Sequence, residues 1–150
     1  MCYNLVVYER GDDINGLSPS EYHVDMMKDN KDMILSRADA LCLRGYGNWN
    51  FDNSVQVYSK QKLEAPYECE VVSDFNHIDY SLIHGIPVCS TRQAFIDLLN
   101  NPKDDIQTLL EALGDYYYTH GKSFANLKLS KKDEKKLQQY SNDAIHYWEY

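Results

Sequence analysis

The stretch that decides the fold runs from His84 to Leu99 and reads His-Gly-Ile-Pro-Val-Cys-Ser-Thr-Arg-Gln-Ala-Phe-Ile-Asp-Leu-Leu. Gly85 permits a tight turn, and the Ile-Pro-Val that follows predicts a short extended strand. Pro87 has no backbone N–H for a ladder bond, so we expect it at a sheet edge or at the start of a strand. The first half of the stretch therefore predicts a turn followed by a strand.

The second half of this stretch predicts a helix. Ser90 is a strong N-cap residue, and Gln93 three positions later completes the pattern of a capping box. Phe95 and the apolar residues at positions 96, 98 and 99 supply a broad face for burial. We expect the rest of the chain to pack on this unit of a strand that leads into a capped, buried helix.

The composition is that of one folded domain. The chain has 150 residues, of which 43% are hydrophobic, and few glycines and prolines, so a single domain over residues 1–150 is expected. A formal net charge of −8 argues against nucleic-acid binding as the main activity, and we expect weak binding at most. Thirteen tyrosines suit either a core or a binding surface.

The sequence predicts a cytoplasmic protein. Its first residues include no basic segment followed by an apolar run, and no stretch approaches the roughly 18 apolar residues of a membrane span. The four cysteines, Cys2, Cys42, Cys69 and Cys89, are far apart and form no C-x-x-C pair. We therefore expect buried free thiols.

The middle of the chain is rich in predicted strands. Residues 55–60, 67–72 and 78–83 alternate in the manner of half-buried strands, and the short polar loops between them favour antiparallel pairing. Ser36, with Asp39 three residues later, predicts the start of another helix. The expected fold is a single α/β (α+β) domain with a mostly antiparallel sheet and packed helices. The residues expected to support it are Ser36, Gly85, Pro87, Ser90, Gln93, Phe95 and Asp97.

Residues 74–79 are a candidate metal-binding segment, because they contain two carboxylates and an imidazole. A hard or borderline metal uses such ligands, but a turn explains Asp74, Asn76 and His77 equally well. The sequence has no nucleophile-elbow, zinc-protease, phosphate-loop or dinucleotide motif. We expect no catalytic residue, no metal and no cofactor.

A basic cluster lies near the C-terminus of this acidic sequence. A solvated helix face is the first interpretation, and contact with an acidic partner or with nucleic-acid phosphates is the alternative. Its members are Lys128, Lys131, Lys132, Lys135 and Lys136.

The working surface is expected to combine exposed aromatic residues with neighbouring charges, as protein interfaces do. Trp49 and Phe51 lie on a predicted loop, where they either cap the core or contact a partner. Three consecutive tyrosines at positions 116–118 cannot all face inward, so Tyr116 or Tyr118 is expected at the surface. Acidic residues would attract a basic groove. The predicted partner-binding residues are Trp49, Phe51, Asp52, Glu68, Glu70, Tyr116 and Tyr118.

Two stretches resemble segments of the AbiEi-type antitoxins of type IV toxin–antitoxin and abortive-infection systems. Residues 34–46, Ile-Leu-Ser-Arg-Ala-Asp-Ala-Leu-Cys-Leu-Arg-Gly-Tyr, resemble the family's extended piece followed by Ser and Ala-Leu-x-Leu-x-Gly. Residues 85–99 resemble its Gly-Ile-Pro-Val segment, which leads through a small residue into a helix with Asp-Leu-Leu. The resemblance covers roughly residues 33–127, and the second motif is the more specific.

The resemblance implies a non-enzymatic binding protein. In that family a winged helix usually precedes an α/β antitoxin domain, whose partner is a nucleotidyltransferase-like toxin. No stretch here resembles the winged helix, so the resemblance does not extend to promoter binding. The family often has Arg four residues before the helix Asp; Gln93 stands there, so we expect a Gln93–Asp97 hydrogen bond instead of an ion pair. The expected function is to restrain such a toxin or another phage-defence component.

Two alternative functions stay open at this point. An acidic, tyrosine-rich small protein is suited to being a phage-encoded inhibitor of a nucleic-acid-processing or defence enzyme, with its carboxylates in place of phosphates. The second alternative is a small enzyme whose active site uses the neighbourhood of His77 or Cys89.

Overall fold

The computed structural model describes residues 19–28, 32–47 and 54–147. Its helices are α1 (Pro19–Met27), α2 (Arg37–Leu43), α3 (Thr91–Asn100), α4 (Ile106–Thr119) and α5 (Lys131–Ile145), with a 3₁₀ turn at Ala125–Leu127. Its strands are β1 (Met33–Leu35), β2 (Val55–Ser59), β3 (Tyr67–Val71), β4 (Tyr80–Ile83) and β5 (Ile86–Cys89). The strands form one sheet in the order β3-β2-β1-β5-β4, so the predicted single α/β domain is confirmed.

The turn at the start of the deciding stretch joins β4 to β5. Ile83 lies opposite Ile86, and the two residues between them, His84 and Gly85, have φ angles of +52° and +83°. Two consecutive positive φ values are typical of a type I′ hairpin turn, whose twist matches that of the strands. The predicted tight turn at Gly85 is confirmed.

Pro87 lies in an interior strand, because β5 is flanked by β1 and β4. Of the two positions expected for Pro87, the sheet edge is therefore wrong, whereas the start of a strand agrees with its place as the second residue of β5. It lies opposite Leu82, one position beyond the hydrogen-bonded Ile83–Ile86 pair. At such a non-hydrogen-bonded position, the backbone amide and carbonyl groups of β5 point away from β4. The missing N–H of Pro87 therefore removes no hydrogen bond between β4 and β5.

The sheet is mixed, which corrects the expectation of mostly antiparallel pairing. Two contacts are antiparallel, β1 with β2 and β4 with β5, and two are parallel, β1 with β5 and β2 with β3. Residues 60–66 join the parallel neighbours β2 and β3. Seven extended residues reach about 23 Å, which exceeds the roughly 16 Å length of a five-residue strand. The loop is therefore long enough to return along the sheet to the start of a parallel strand. Within this loop, the N–H of Leu63 donates to Cys69 Sγ at 3.3 Å, so the loop lies beside β3.

The helix of the deciding stretch, α3, begins as the sequence predicts. Ser90 is its N-cap, and Ser90 Oγ accepts a hydrogen bond from the Gln93 N–H at 3.0 Å. The reciprocal bond of a capping box is replaced, because Gln93 Oε1 accepts from the N–H of Asp79 and the N–H of Ser90 donates to the Asp79 carbonyl. Phe95 is fully buried. The cap and the buried face are confirmed, and the side chain of Gln93 ties α3 to the segment before β4.

Ser36 is the N-cap of α2, as predicted, but its side chain makes no capping hydrogen bond. Asp39, three residues later, turns to other elements instead. Its Oδ1 lies 2.9 Å from His23 Nε2 on α1, and its Oδ2 accepts from the N–H of Gln56 on β2 at 2.9 Å. This buried carboxylate joins α1, α2 and the sheet.

The core lies where α2, α3 and α4 meet the central strands. Its largest fully buried side chains include Phe95, Met33, Ile34, Leu35, Leu41, Leu98, Leu109 and Leu113. Tyr46 and Tyr116 contact Phe95, with ring centroids 6.4 and 5.7 Å away. Tyr116 itself is only 4% exposed, whereas Tyr118 is 43% exposed. The structure therefore places Tyr118, and not Tyr116, at the surface.

Two of the cysteines, Cys69 and Cys89, are free thiols. Cys42 is disulfide-bonded, so the expectation of free thiols is wrong for Cys42, and Cys2 lies outside the described residues. None of the helices in the described ranges is long and apolar enough to cross a membrane.

Candidate functional site

The predicted hydrogen bond between Gln93 and Asp97 is confirmed and belongs to a larger network. Gln93 Nε2 donates to Asp97 Oδ1 at 3.1 Å, and the Tyr58 hydroxyl donates to Asp97 Oδ2 at 2.7 Å. Burial raises the pKa of Asp97, and the two hydrogen bonds oppose that shift. Burial, followed by the Asp97 hydrogen bond, raises the pKa of Tyr58. The network holds α3 against β2 through the carboxyl group of Asp97. Burial disfavours the charged form of this group.

Asp97→Asn is expected to change the pH dependence of stability. Because the pKa of Asp97 in the native state exceeds its ordinary value of 3.8, the native state binds this proton more tightly than the unfolded chain does. Protonation of Asp97 therefore stabilises the native state fully at pH values below 3.8. This stabilisation is lost as the pH rises through the pKa of Asp97 in the native state. Asparagine stays neutral, so the free energy of unfolding of Asp97→Asn, relative to the parent, should rise with pH across this window.

Denaturant titrations at a series of pH values measure this difference. Asp143→Asn, at an exposed position of α5, removes the same charge and serves as the control. A flat difference between Asp97→Asn and the parent would contradict the prediction.

Arg37, the first residue of α2, adopts a φ of +53°, which is uncommon and costly for a residue with a side chain. It is only 7% exposed. Its Nη2 donates to the Asn101 carbonyl at 2.7 Å and lies 3.5 Å from Asp105 Oδ2. The guanidinium thus caps the C-terminal end of α3, where cations complement the helix dipole.

Gln56 on β2 connects the same region. Its Nε2 donates to Asp105 Oδ2 at 2.8 Å, and its Oε1 accepts from the N–H of Ala38 at 2.9 Å. The start of α2, the start of α4 and the sheet are therefore held by one polar cluster.

A shallow cleft of about 180 Å³ opens between this cluster and the edge strand β3; we call it the β3 cleft. In a parallel pair, residues in register point to the same face of the sheet, so Glu68 and Glu70 lie on the face of Gln56 and Tyr58. Both glutamates are exposed. Residues lining the β3 cleft include Arg37, Gln56, Glu68, Cys69, Glu70 and Lys103.

The β3 cleft contains two of the residues that the sequence predicted for partner binding, Glu68 and Glu70. Tyr118 does not line the cleft; it lies on α4, where its hydroxyl donates to the Ile145 carbonyl at 2.8 Å. Tyr116 is buried in the core and is excluded from a surface role. Trp49, Phe51 and Asp52 lie outside the described residues.

Sequence reasoning missed Arg37, Gln56 and Lys103 as members of the site. The partners of Arg37 lie 60 to 68 positions later in the chain, so no local spacing marks it. Lys103 also has a positive φ, +51°, which the sequence does not reveal because lysine normally avoids that region. Their proximity comes only from the packing of α2, α3 and the sheet.

Cys89 and His77 do not line the β3 cleft. Cys89 is completely buried, and burial raises the pKa of its thiol, which opposes formation of the nucleophilic thiolate. His77 is exposed, and Asp74 Oδ1 accepts from the N–H of Asn76 at 2.9 Å, the pattern of an Asx turn. Within the described ranges, no three histidine, cysteine or acidic residues are grouped to hold a metal ion.

The basic cluster forms the first turns of α5, with Lys128 just before it. Ser130 Oγ accepts from the Asp133 N–H at 3.2 Å and caps this helix. Four of the five lysines are exposed and Lys136 is half-buried, which fits the interpretation of a solvated helix face.

Comparisons with known proteins assign this chain to no group: no family model, curated protein or solved structure matches it.

Proposed function

We propose that this protein is a non-enzymatic binding protein that restrains a protein partner with a basic surface, in the manner of the AbiEi-type antitoxins that it resembles. The observation that carries the proposal is the acidic edge of the sheet. Glu68 and Glu70 alternate on one face of β3, are exposed, and form no ion pair with another residue of the described ranges. An edge strand with two free carboxylates is a surface that a partner with lysine or arginine side chains fits.

The charge of the whole chain supports the same proposal. A net charge of −8 attracts a basic protein over distances comparable to the Debye length, about 8–10 Å at physiological salt. Such complementarity raises the rate of encounter more than it tightens the final complex. A nucleotidyltransferase-like toxin acts on anionic substrates, so we expect its substrate groove to be basic.

The chemistry of the described residues supports binding over catalysis. A nucleophile needs a lowered pKa or an adjacent base, whereas burial raises the pKa values of Cys89 and Tyr58. The carboxylate Asp97 is occupied by Tyr58 and Gln93. These groups are arranged to hold elements together.

The double substitution Glu68→Lys, Glu70→Lys is expected to slow association with the partner at least about tenfold at low salt. Reversing both charges replaces attraction at the β3 edge by repulsion. The partner to test is the protein encoded by the neighbouring gene, co-expressed with this chain and isolated by co-purification. Binding rates are then measured at low and high salt, where the difference should shrink.

The matched control is Glu134→Lys, Asp143→Lys, which changes net charge equally at exposed positions of α5. Equal loss of binding in both variants would show that total charge, and not the β3 edge, governs the interaction. Thermal unfolding of each variant checks that the fold is retained.

The same experiment addresses the alternative of a phage-encoded inhibitor. If the captured protein is a nucleic-acid-processing enzyme, and DNA or RNA competes for it, the carboxylates of β3 act in place of phosphates. A cytoplasmic partner is part of our proposal.

A further inference from the structure

The two edges of the sheet differ in charge. The edge strand β3 carries Glu68 and Glu70, and like charges along an edge discourage pairing with another copy. The opposite edge strand, β4, has the sequence Tyr-Ser-Leu-Ile, without charge or proline. Its side chains Leu82 and Tyr80 are 67% and 43% exposed. Apart from its short length of four residues, this edge has neither the charges nor the proline that normally prevent strand addition.

The backbone of β4 offers hydrogen-bonding groups at this edge. Ile83 and Ile86 flank a two-residue turn, so they form a hydrogen-bonded pair, and the pairs alternate from there. The N–H and C=O groups of Ile83 and Ser81 therefore point to β5, and those of Leu82 and Tyr80 point outward. The edge presents two donors and two acceptors that the β4–β5 ladder does not use.

These groups are self-complementary under a two-fold axis. If two copies of β4 run antiparallel with Ser81 at the axis, Tyr80 of each copy lies opposite Leu82 of the other. The outward groups then form four backbone hydrogen bonds across the pair. Tyr80 and Leu82 share one face of the strand, so each tyrosine ring lies directly opposite a leucine of the other copy, within contact distance.

We propose that this protein forms a two-fold dimer through antiparallel pairing of β4 with β4 of a second copy. The uncharged β4 offers no local attraction to a basic partner, whereas its outward hydrogen-bonding groups match those of a second copy. The acidic β3 edges stay free at the two ends of the joined sheet. The dimer is thus independent of the function proposed above.

The dimer is expected to be weak and to strengthen with salt. A pair of four-residue strands buries far less than the roughly 1,200 Å² of a stable interface, so a dissociation constant of about 10 μM to 1 mM is expected. Each copy carries a net charge of −8, and salt screens the repulsion between them. Salt does not screen the apolar contacts and backbone hydrogen bonds of the dimer in the way that it screens this repulsion.

Analytical ultracentrifugation of the full chain, up to about 1 mM and at low and high salt, tests the proposal. Leu82→Lys should weaken the dimer at least about tenfold. Val71→Lys is the matched control, because Val71 is 52% exposed on the other edge strand and the charge change is identical; it should leave dimerisation intact. Circular dichroism verifies that both variants fold.

Amide hydrogen exchange of the parent protein gives a second readout that needs no substitution. The amides of Tyr80 and Leu82 should exchange more slowly as protein concentration rises, while the Val71 amide stays constant. A parent protein that is monomeric at about 1 mM in high salt, or equal effects of Leu82→Lys and Val71→Lys, would overturn the proposal.

Discussion

Phe95→Ala is expected to lower the free energy of unfolding by about 3–5 kcal/mol, the range for removal of a buried phenylalanine ring. The ring is fully buried. It packs edge-on against Tyr116, with an interplanar angle of 83°, and contacts Tyr46. Alanine would leave a cavity between α3, α4 and the end of α2, because the surrounding elements are held by other contacts and relax only in part.

Equilibrium denaturation in urea measures this loss. Phe95→Leu, which keeps much of the volume, should cost clearly less than Phe95→Ala. Ile106→Ala is the control for helix effects, since Ile106 is 45% exposed on α4. A Phe95→Ala protein as stable as the parent would contradict the burial of the Phe95 ring in the core.

Asp39→Ala is expected to cost about 2–4 kcal/mol, since it removes two buried hydrogen bonds at once. Asp39 Oδ2 accepts from the N–H of Gln56, and Gln56 is only 6% exposed. Without the carboxylate this N–H loses its acceptor in a place where solvent does not replace it. The bond to His23, which is completely buried on α1, is lost as well.

Asp39→Asn is the matched variant. Its amide oxygen can accept from the Gln56 N–H, and its amide nitrogen can donate to His23 in the appropriate tautomer. It should therefore recover at least half of the loss. If asparagine is as destabilising as alanine, the charge of Asp39, and not its hydrogen bonds, dominates at this site.

Local patterns predicted the unit at the centre of the chain correctly. The hairpin turn at Gly85, the cap at Ser90 and the buried ring of Phe95 depend on residues within 15 positions of one another. The Gln93–Asp97 bond joins residues four apart on one helix, where side chains are neighbours by geometry. Each of these features follows from the backbone periodicity and the cap chemistry of a short segment.

The site depended on contacts that no short segment contains. The β3 cleft brings together residues from α2, β2, β3 and the loop after α3. Glu68 and Glu70 were predicted as partner-binding acids of an alternating segment, but their position on an edge strand of the described sheet follows from the strand order. Arg37 and Lys103 were missed because their role comes from packing.

The sequence by itself determined the single α/β domain, the strand–turn–strand–helix unit around Ser90 and the residues that its helix buries. These features are set by periodicity, turn residues and caps, which act within a few residues. Only the tertiary structure decided the mixed order of the strands, the burial of Tyr116 in place of Tyr118, and the recruitment of Asp39 as a link between three elements. Each of those outcomes depends on which distant segment offers a better contact. Burial of an aromatic ring or satisfaction of a buried N–H outweighs the small local preferences that a sequence pattern reports.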